Sequence, residues 1–530
     1  MQNKISLYNI LEYILLIFPF GLVFSNTLMT IADILLIAIG FAFAIKFFIE
    51  NKKIGLKSFF KARKSQFIFL GIYLIGVVGL IYTSNYTFGL RDLNTKLPLV
   101  IFPVVFMFLP EIKNSTIRKI IIVHCIALVA ASTIILYNTI FPKSTNFRDA
   151  FTFISHIRLS LNYCASIFFL LYYFVFEKNI RMKWQILSLF VIAWFIIVLC
   201  LIKSVTGIFV LVLLFCFIVL SRNFFKTLSK RIRRAIGISV ASVVIICIGF
   251  FAYSYLKYYK ATTYDLNNLP EFTVNGNKYS NDISYGVVEE GDNFCILICD
   301  KELRKEWNKR SEVAYDSVIN GSTIKAGLIR FLNSLDYPKD SVGVNLLTNE
   351  HVLAIEHGYA NHYYTRNLSF YSRMSMFFFS YEMFKKTGNP SGSTLFQRLY
   401  FWKASFIIWK QNPVFGVGTG DIRDELNNVY TTNFPELKSE FHHCVHNQYL
   451  YYAATSGLIG LIIFVFCLIY PGVIGKKSND YHWRFFLILV MLSMLTEDTL
   501  GTQAGVTFFT FFYFIFLFKE KSDVTERITD

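Results

Sequence analysis

Residues 8–49 read YNILEYILLIFPFGLVFSNTLMTIADILLIAIGFAFAIKFFI, two apolar runs parted by a short polar break at Ser25, Asn26 and Thr27. Each run is close to the ~20 residues that carry a helix across a hydrocarbon core about 30 Å thick, because a helix rises 1.5 Å per residue. Working outward from this pair (8–25 and 30–49), similar runs recur near 66–83, 93–109, 117–140, 158–176, 183–201, 204–221, 235–256, 450–470, 483–498 and 503–518. The expected architecture is therefore an all-α polytopic membrane protein with about twelve transmembrane helices. Composition agrees. With 54% apolar residues, 57 Phe, 31 Tyr and only 16% charged residues, the chain has more greasy surface than one soluble core could bury. No small-residue cleavage site follows the first run, so it is expected to remain as a helix rather than be removed as a signal peptide.

Orientation follows from the cations, since Lys and Arg near span ends stay cytoplasmic. With the N-terminus inside, inner loops and span ends hold Lys46, Lys52, Lys53, Lys57, Lys61, Arg63 and Lys64, then Lys113, Arg118 and Lys119, then Lys178, Arg181 and Lys183. Further along they hold Arg222, Lys226, Lys230, Arg231, Arg233 and Arg234, then Lys476 and Lys477. The short outer loops hold fewer: Arg91, Lys96, Lys143, Arg148, Arg158 and Lys203. The long segment 257–449 is thereby placed outside and the tail from Lys519 inside. The net charge of +17 reads as topology, and no nucleic-acid partner is expected.

Four regions follow: a bundle of nine spans over 1–256, a soluble α/β insertion over 257–365, a loop with surface helices over 366–449, and a three-span bundle with its tail over 450–530. In the insertion, EFTVNGNKY carries a hairpin signal at Asn275-Gly276. ISYGVV and FCILIC are expected as extended runs, and ELRKEWNKRSEVAYDSVI as a helix. Cys295 and Cys299, in such a strand, would stand about 13 Å apart, too far to bridge. In the next region SFYSRMSMFFFSYEMFKK and QRLYFWKASFIIWKQ have helical patterns, separated by the breaker cluster TGNPSGS.

The most informative stretch runs from Arg398 to Gly460: RLYFWKASFIIWKQNPVFGVGTGDIRDEL, a polar loop NNVYTTNFPELKSEF, then HHCVHNQYLYYAATSGLIGLIIF. It places Arg398 and Trp402 on a helix, Asn412, Pro413, Phe415, Gly416, Gly418 and Gly420 in a turn, His446 and Asn447 at the opening of a span, and Ser456, Gly457, Leu458 and Gly460 inside it. In these residues the chain resembles the O-antigen ligase family and its relatives, the O-antigen polymerases and bacterial protein O-oligosaccharyltransferases. The resemblance implies a membrane glycosyltransferase (GT-C-like) fold in the bacterial inner membrane, with its large loop periplasmic. It also implies a donor glycan on a polyprenyl diphosphate and an acceptor hydroxyl on lipid A core, on another glycan or on a protein. Nothing in the matched pattern corresponds to 257–365.

The residues suit that chemistry. A diphosphate leaving group must be held by cations, and the outer loop has no Asp-x-Asp that would hold a metal; no metal or cofactor is expected. Arginine presents fixed paired donors to phosphate oxygens at any working pH. Arg158, where an outer loop enters the sixth span, and Arg398 are therefore expected to bind the diphosphate, although each is also the kind of cation that anchors an interface. Lys96 and Arg91 fit the interface-anchor role better. His446, near a helix start whose dipole disfavours the imidazolium, is expected as the general base of an inverting transfer, with Asn447 beside it in the site. Gly416, Gly418 and Gly420 would either let the backbone turn tightly or bring amides to a phosphate. A transporter or flippase is the reading of another class, because many spans with a few polar residues fit that too. The long outer loop bearing the motif argues against it, since transporters place their sites at broken helices near the midplane.

Overall fold

The computed structural model describes residues 6–51, 55–140, 154–175, 181–202, 204–220, 230–260, 269–282, 286–319, 321–365 and 369–520. Of the cations used for orientation, Lys52, Lys53, Lys143, Arg148, Lys178, Lys203, Arg222 and Lys226 lie outside the described residues. The chain is an all-α protein. Five helices are long and apolar enough to cross a membrane: Leu7–Phe24, Asn26–Glu50, Asn114–Asn138, Met182–Ile202 and Gln448–Ile474. Shorter apolar helices, among them Lys64–Gly79, Tyr481–Ser493 and Gln503–Leu517, stand where further spans were expected. The expected span 93–109 is instead divided into Tyr86–Thr95 and Pro98–Phe106. Pro98 opens the second piece because its missing N–H and fixed φ are tolerated only in a first turn.

Two compact units form. One joins residues 1–233 to 397–530, and the other is 234–396. The boundary at 396/397 falls within the 366–449 region, so Arg398 and the glycine-rich turn belong with the membrane helices. In the first unit the helix Gln503–Leu517 is buried from Gly505 to Leu517, as an all-round apolar helix must be. Its rings interlock with neighbours: Phe18 and Phe511 stack at 4.7 Å, Phe69 meets Phe514 edge-on at 4.8 Å, and Phe169 meets Phe512 at 5.2 Å. Between helices in lipid, such contact packing is the main source of association.

The second unit has its own core, in which Leu303, Trp307, Tyr315, Leu328, Phe331 and Leu332 are fully buried. The hairpin signal is realised: Gly276 takes φ 76° and Thr273 N–H donates to the Asn277 carbonyl at 2.8 Å. Other expectations are corrected. FCILIC is not a strand; Leu297 sits at φ 56° and Cys299 precedes the helix Asp300–Arg310. That helix ends at Arg310, well short of Ile319, because Ser311 turns extended and Trp307 Nε1 donates to the Val313 carbonyl at 2.8 Å, folding the chain back. The strands described are two antiparallel pairs of two residues each, Val288–Glu289 with Asp292–Asn293 and Val318–Ile319 with Ser322–Thr323, beside the helices Asp300–Arg310, Ile324–Ser334, Ser341–Leu346 and Asn349–Glu356 of the insertion.

Candidate active site

The site is built on the turn Met494–Thr502, which joins Tyr481–Ser493 to Gln503–Leu517. This turn is tied to the start of Gln448–Ile474 by three hydrogen bonds: Gln448 N–H to the Met494 carbonyl at 2.8 Å, Leu500 N–H to Gln448 Oε1 at 2.8 Å, and Asn447 Nδ2 to the Leu495 carbonyl at 2.9 Å. Two adjacent carboxylates, Glu497 and Asp498, sit at its centre.

Asp498 organises backbone. Its two oxygens accept the amides of His446 at 3.0 Å and Asn447 at 2.9 Å, and its carbonyl accepts Arg158 Nη2 at 2.8 Å. Burial pushes the Asp498 carboxyl above its ordinary range, with His446 and the two amides pulling the other way. Arg158 Nη1 is buried without a partner. The guanidinium fits only because residue 505 is glycine: a Cβ there would stand 3.0 Å from Arg158 Nη1 and 2.0 Å from the Thr499 carbonyl oxygen.

Glu497 organises side chains. One oxygen pairs with Arg398 Nη2 and the other lies 3.3 Å from His446 Nδ1. Burial alone would raise this carboxyl, but His446, Arg398 and Arg158 outweigh it and hold it below its usual range. An ionised carboxylate can only accept, so His446 Nδ1 carries the hydrogen between them, and in the neutral ring Nε2 then has the lone pair. The His446 side chain keeps 32% exposure against 6% for Glu497, so the ring is reachable while its partner is not. His446 also stands at φ 50°, a strained conformation for a residue with a Cβ, held by its amide on Asp498.

The structure thus brings Arg158, Arg398 and His446 into one cluster. Asn447 stands beside this cluster with a structural job. It is the N-cap of Gln448–Ile474: its Oδ1 accepts from the amides of Tyr449 and Leu450, both at 3.0 Å, while Nδ2 and its own N–H are bonded as above. The side-chain oxygen and one of the two Nδ2 hydrogens are thus engaged in the fold. Gly416 and Gly418 have structural roles as well. Helix Gln448–Ile474 breaks at Gly457, with φ 65° and ψ −167°, and the turn 413–419 supplies the missing hydrogen bonds. Val417 and Gly418 amides donate to the carbonyls of Ala454 and Thr455 at 3.0 and 2.8 Å, and Leu458 N–H donates to the Pro413 carbonyl at 2.8 Å. The Gly416 amide is taken by the Asn412 carbonyl, so neither Gly416 nor Gly418 offers a free amide to phosphate. A Cβ at Gly416 or Gly420 would stand 2.4 or 2.1 Å from backbone atoms of Ser456 and Asn85.

Two further readings change. Part of the expected polar loop 427–441 is helical, as the end of Ile422–Asn433. Lys96 is no interface anchor but a buried cation, 2.6 Å from Asp92 and 3.3 Å from the Tyr451 hydroxyl. Glu497 and Asp498 are not among the site residues expected from the sequence. The available signal was two carboxylates at the end of an apolar run, a costly placement that marks function by default.

No curated protein matches the chain. A family model does: the one described as O-antigen ligase, Wzy_C, covers residues 359–465, which include Arg398, the glycine-rich turn, His446 and the Gly457 break. Residues 359–465 thus carry a domain of the O-antigen ligase family.

Proposed function

We propose that the protein transfers a glycan from a polyprenyl-diphosphate carrier to an acceptor hydroxyl, with ligation of O-antigen to lipid A core as the reaction. The observation that supports this best is the His446–Glu497–Arg398 cluster beside Arg158. His446 Nε2 takes the proton of the acceptor hydroxyl. The oxygen attacks the anomeric carbon of the donor sugar as its bond to the diphosphate oxygen breaks, with inversion at that carbon. Polyprenyl diphosphate leaves, and its growing charge is met by Arg398 and Arg158. Both arginines have guanidinium donors beyond those bonded to Glu497 and to the Asp498 carbonyl. Glu497 holds the imidazole in the required tautomer and stabilises the imidazolium that forms, as a carboxylate does in a catalytic triad.

The same reading includes about twelve spans in a GT-C-like arrangement in the inner membrane, with the site on the periplasmic side. It needs no metal: the oxygens of Asp498 and Glu497 are already held by protein donors. The test is transfer by purified protein from a synthetic polyprenyl-diphosphate glycan to lipid A core, with and without excess chelator. Turnover that survives chelation and disappears in Arg398→Ala is the expected result. Turnover lost on chelation and restored by magnesium, or unchanged in Arg398→Ala, overturns the reading.

A further inference from the structure

Helix Gln448–Ile474 starts at the His446 cluster and ends, 27 residues on, at a second feature of the same unit. There the ends of Lys64–Gly79, Gln448–Ile474 and Gln503–Leu517 enclose a cavity of about 240 Å³. Five lysines line it, Lys61, Lys64, Lys476, Lys477 and Lys519, against the single carboxylate of Glu111. Two of the five are engaged by the fold. Lys519, 4% exposed, pairs with Asp480 at 3.1 Å, and Lys477 Nζ donates to the Lys519 carbonyl at 2.5 Å. Lys61, Lys64 and Lys476 are exposed and form no ion pair among the described residues. Like charges repel, so this excess of ammonium groups over one carboxylate around one concavity raises the energy of the empty site and favours an anion there.

Cations at helix ends follow from topology alone, and diffuse charge would then suffice. The cavity is what topology does not require. Its volume is below the ~300–1,000 Å³ of sites that enclose a whole small ligand, so it suits a headgroup whose remainder stays outside. Its wall is made by the ends of apolar helices: Ile474, Leu517 and Phe518 stand beside the lysines, and Val473 next to them is half exposed. An anion with an attached apolar tail satisfies both features. We propose that this cavity binds the phosphate headgroup of an anionic phospholipid of the bilayer, at the opposite end of the helix from the transfer site.

The test uses the full chain in phosphatidylcholine vesicles containing a small fraction of spin-labelled phosphatidylglycerol or spin-labelled phosphatidylcholine, with the motionally restricted fraction of each label as the readout. The wild type should restrict phosphatidylglycerol in preference to phosphatidylcholine. Lys64→Gln with Lys476→Gln should lose that preference by roughly fivefold per lysine. Lys57→Gln with Lys113→Gln removes equal charge from residues outside the cavity and should keep it. Equal loss in both variants assigns the effect to diffuse surface charge and overturns the site. No preference in the wild type does the same. Millimolar inorganic phosphate should leave the preference intact; if it abolishes the preference, the cavity is a site for soluble phosphate and the lipid assignment fails. A cavity variant that elutes as a single species with unchanged melting temperature shows that the change is not unfolding.

Discussion

At the scale of single residues, the side chain with the most to do is Glu497, which touches both Arg398 and His446. If it orients the base, Glu497→Gln should lower turnover by about tenfold to 10⁴-fold, since an amide can present the wrong partner to Nδ1. Donor affinity, measured separately, should change far less. His446→Ala should lower turnover by about 10²- to 10⁴-fold, the usual contribution of a general base, with donor binding retained. Loss of donor binding instead would give His446 a role on the phosphates. Arg398→Lys should recover little, because an ammonium cannot hold a carboxylate and a diphosphate in one plane. The Glu497 carboxyl is held low in the folded protein, which fixes the sign of its effect on stability. Its contribution is full above the unfolded value of about 4.3 and is lost as pH falls through the lower folded value. Melting temperature measured against pH should therefore drop on the acid side in the wild type and drop less in Glu497→Gln.

At the scale of elements, the broken helix Gln448–Ile474 and the turn that mends it are one device. Gly457 at φ 65° would place a Cβ 2.1 Å from the Val414 carbonyl oxygen, and Gly416 would place one 2.4 Å from Ser456 N. Gly457→Ala should therefore cost more than the ~1 kcal/mol of an ordinary helical glycine change and sharply reduce the yield of monodisperse protein. Normal yield and melting temperature would show that the break is dispensable. Asn447→Ala removes a cap and should cost about 1–2 kcal/mol, seen as a lower melting temperature. Both helices SFYSRMSMFFFSYEMFKK and QRLYFWKASFIIWKQ were legible from apolar spacing, and they stand at Phe370–Thr387 and Thr394–Gln411. FCILIC was not legible. An apolar run too short to show its period is decided by what it packs on, and here Ile296 and Cys299 are buried while Leu297 turns into the left-handed region.

At the scale of the whole molecule, the cation asymmetry gives an expected orientation that can be tested. A reporter active only outside the membrane should be active when fused near Asn320 and silent near Lys230; activity at both, or the reverse, would refute the orientation. The sequence by itself determined that this is a helical membrane protein and that Arg398 through Gly460 carries the family's pattern. Span length and a local motif are written in consecutive residues, so both can be read without a fold. Only the tertiary structure decided what those residues do to one another. Glu497 is 51 positions from His446 and 99 from Arg398, yet it touches both. The amides of Gly416 and Gly418, readable either as part of a phosphate cradle or of a turn, are spent inside the fold, that of Gly418 on a carbonyl beside the Gly457 break. Hydrogen-bond satisfaction inside an apolar bundle is settled by whichever segments pack together, and no local pattern records that outcome.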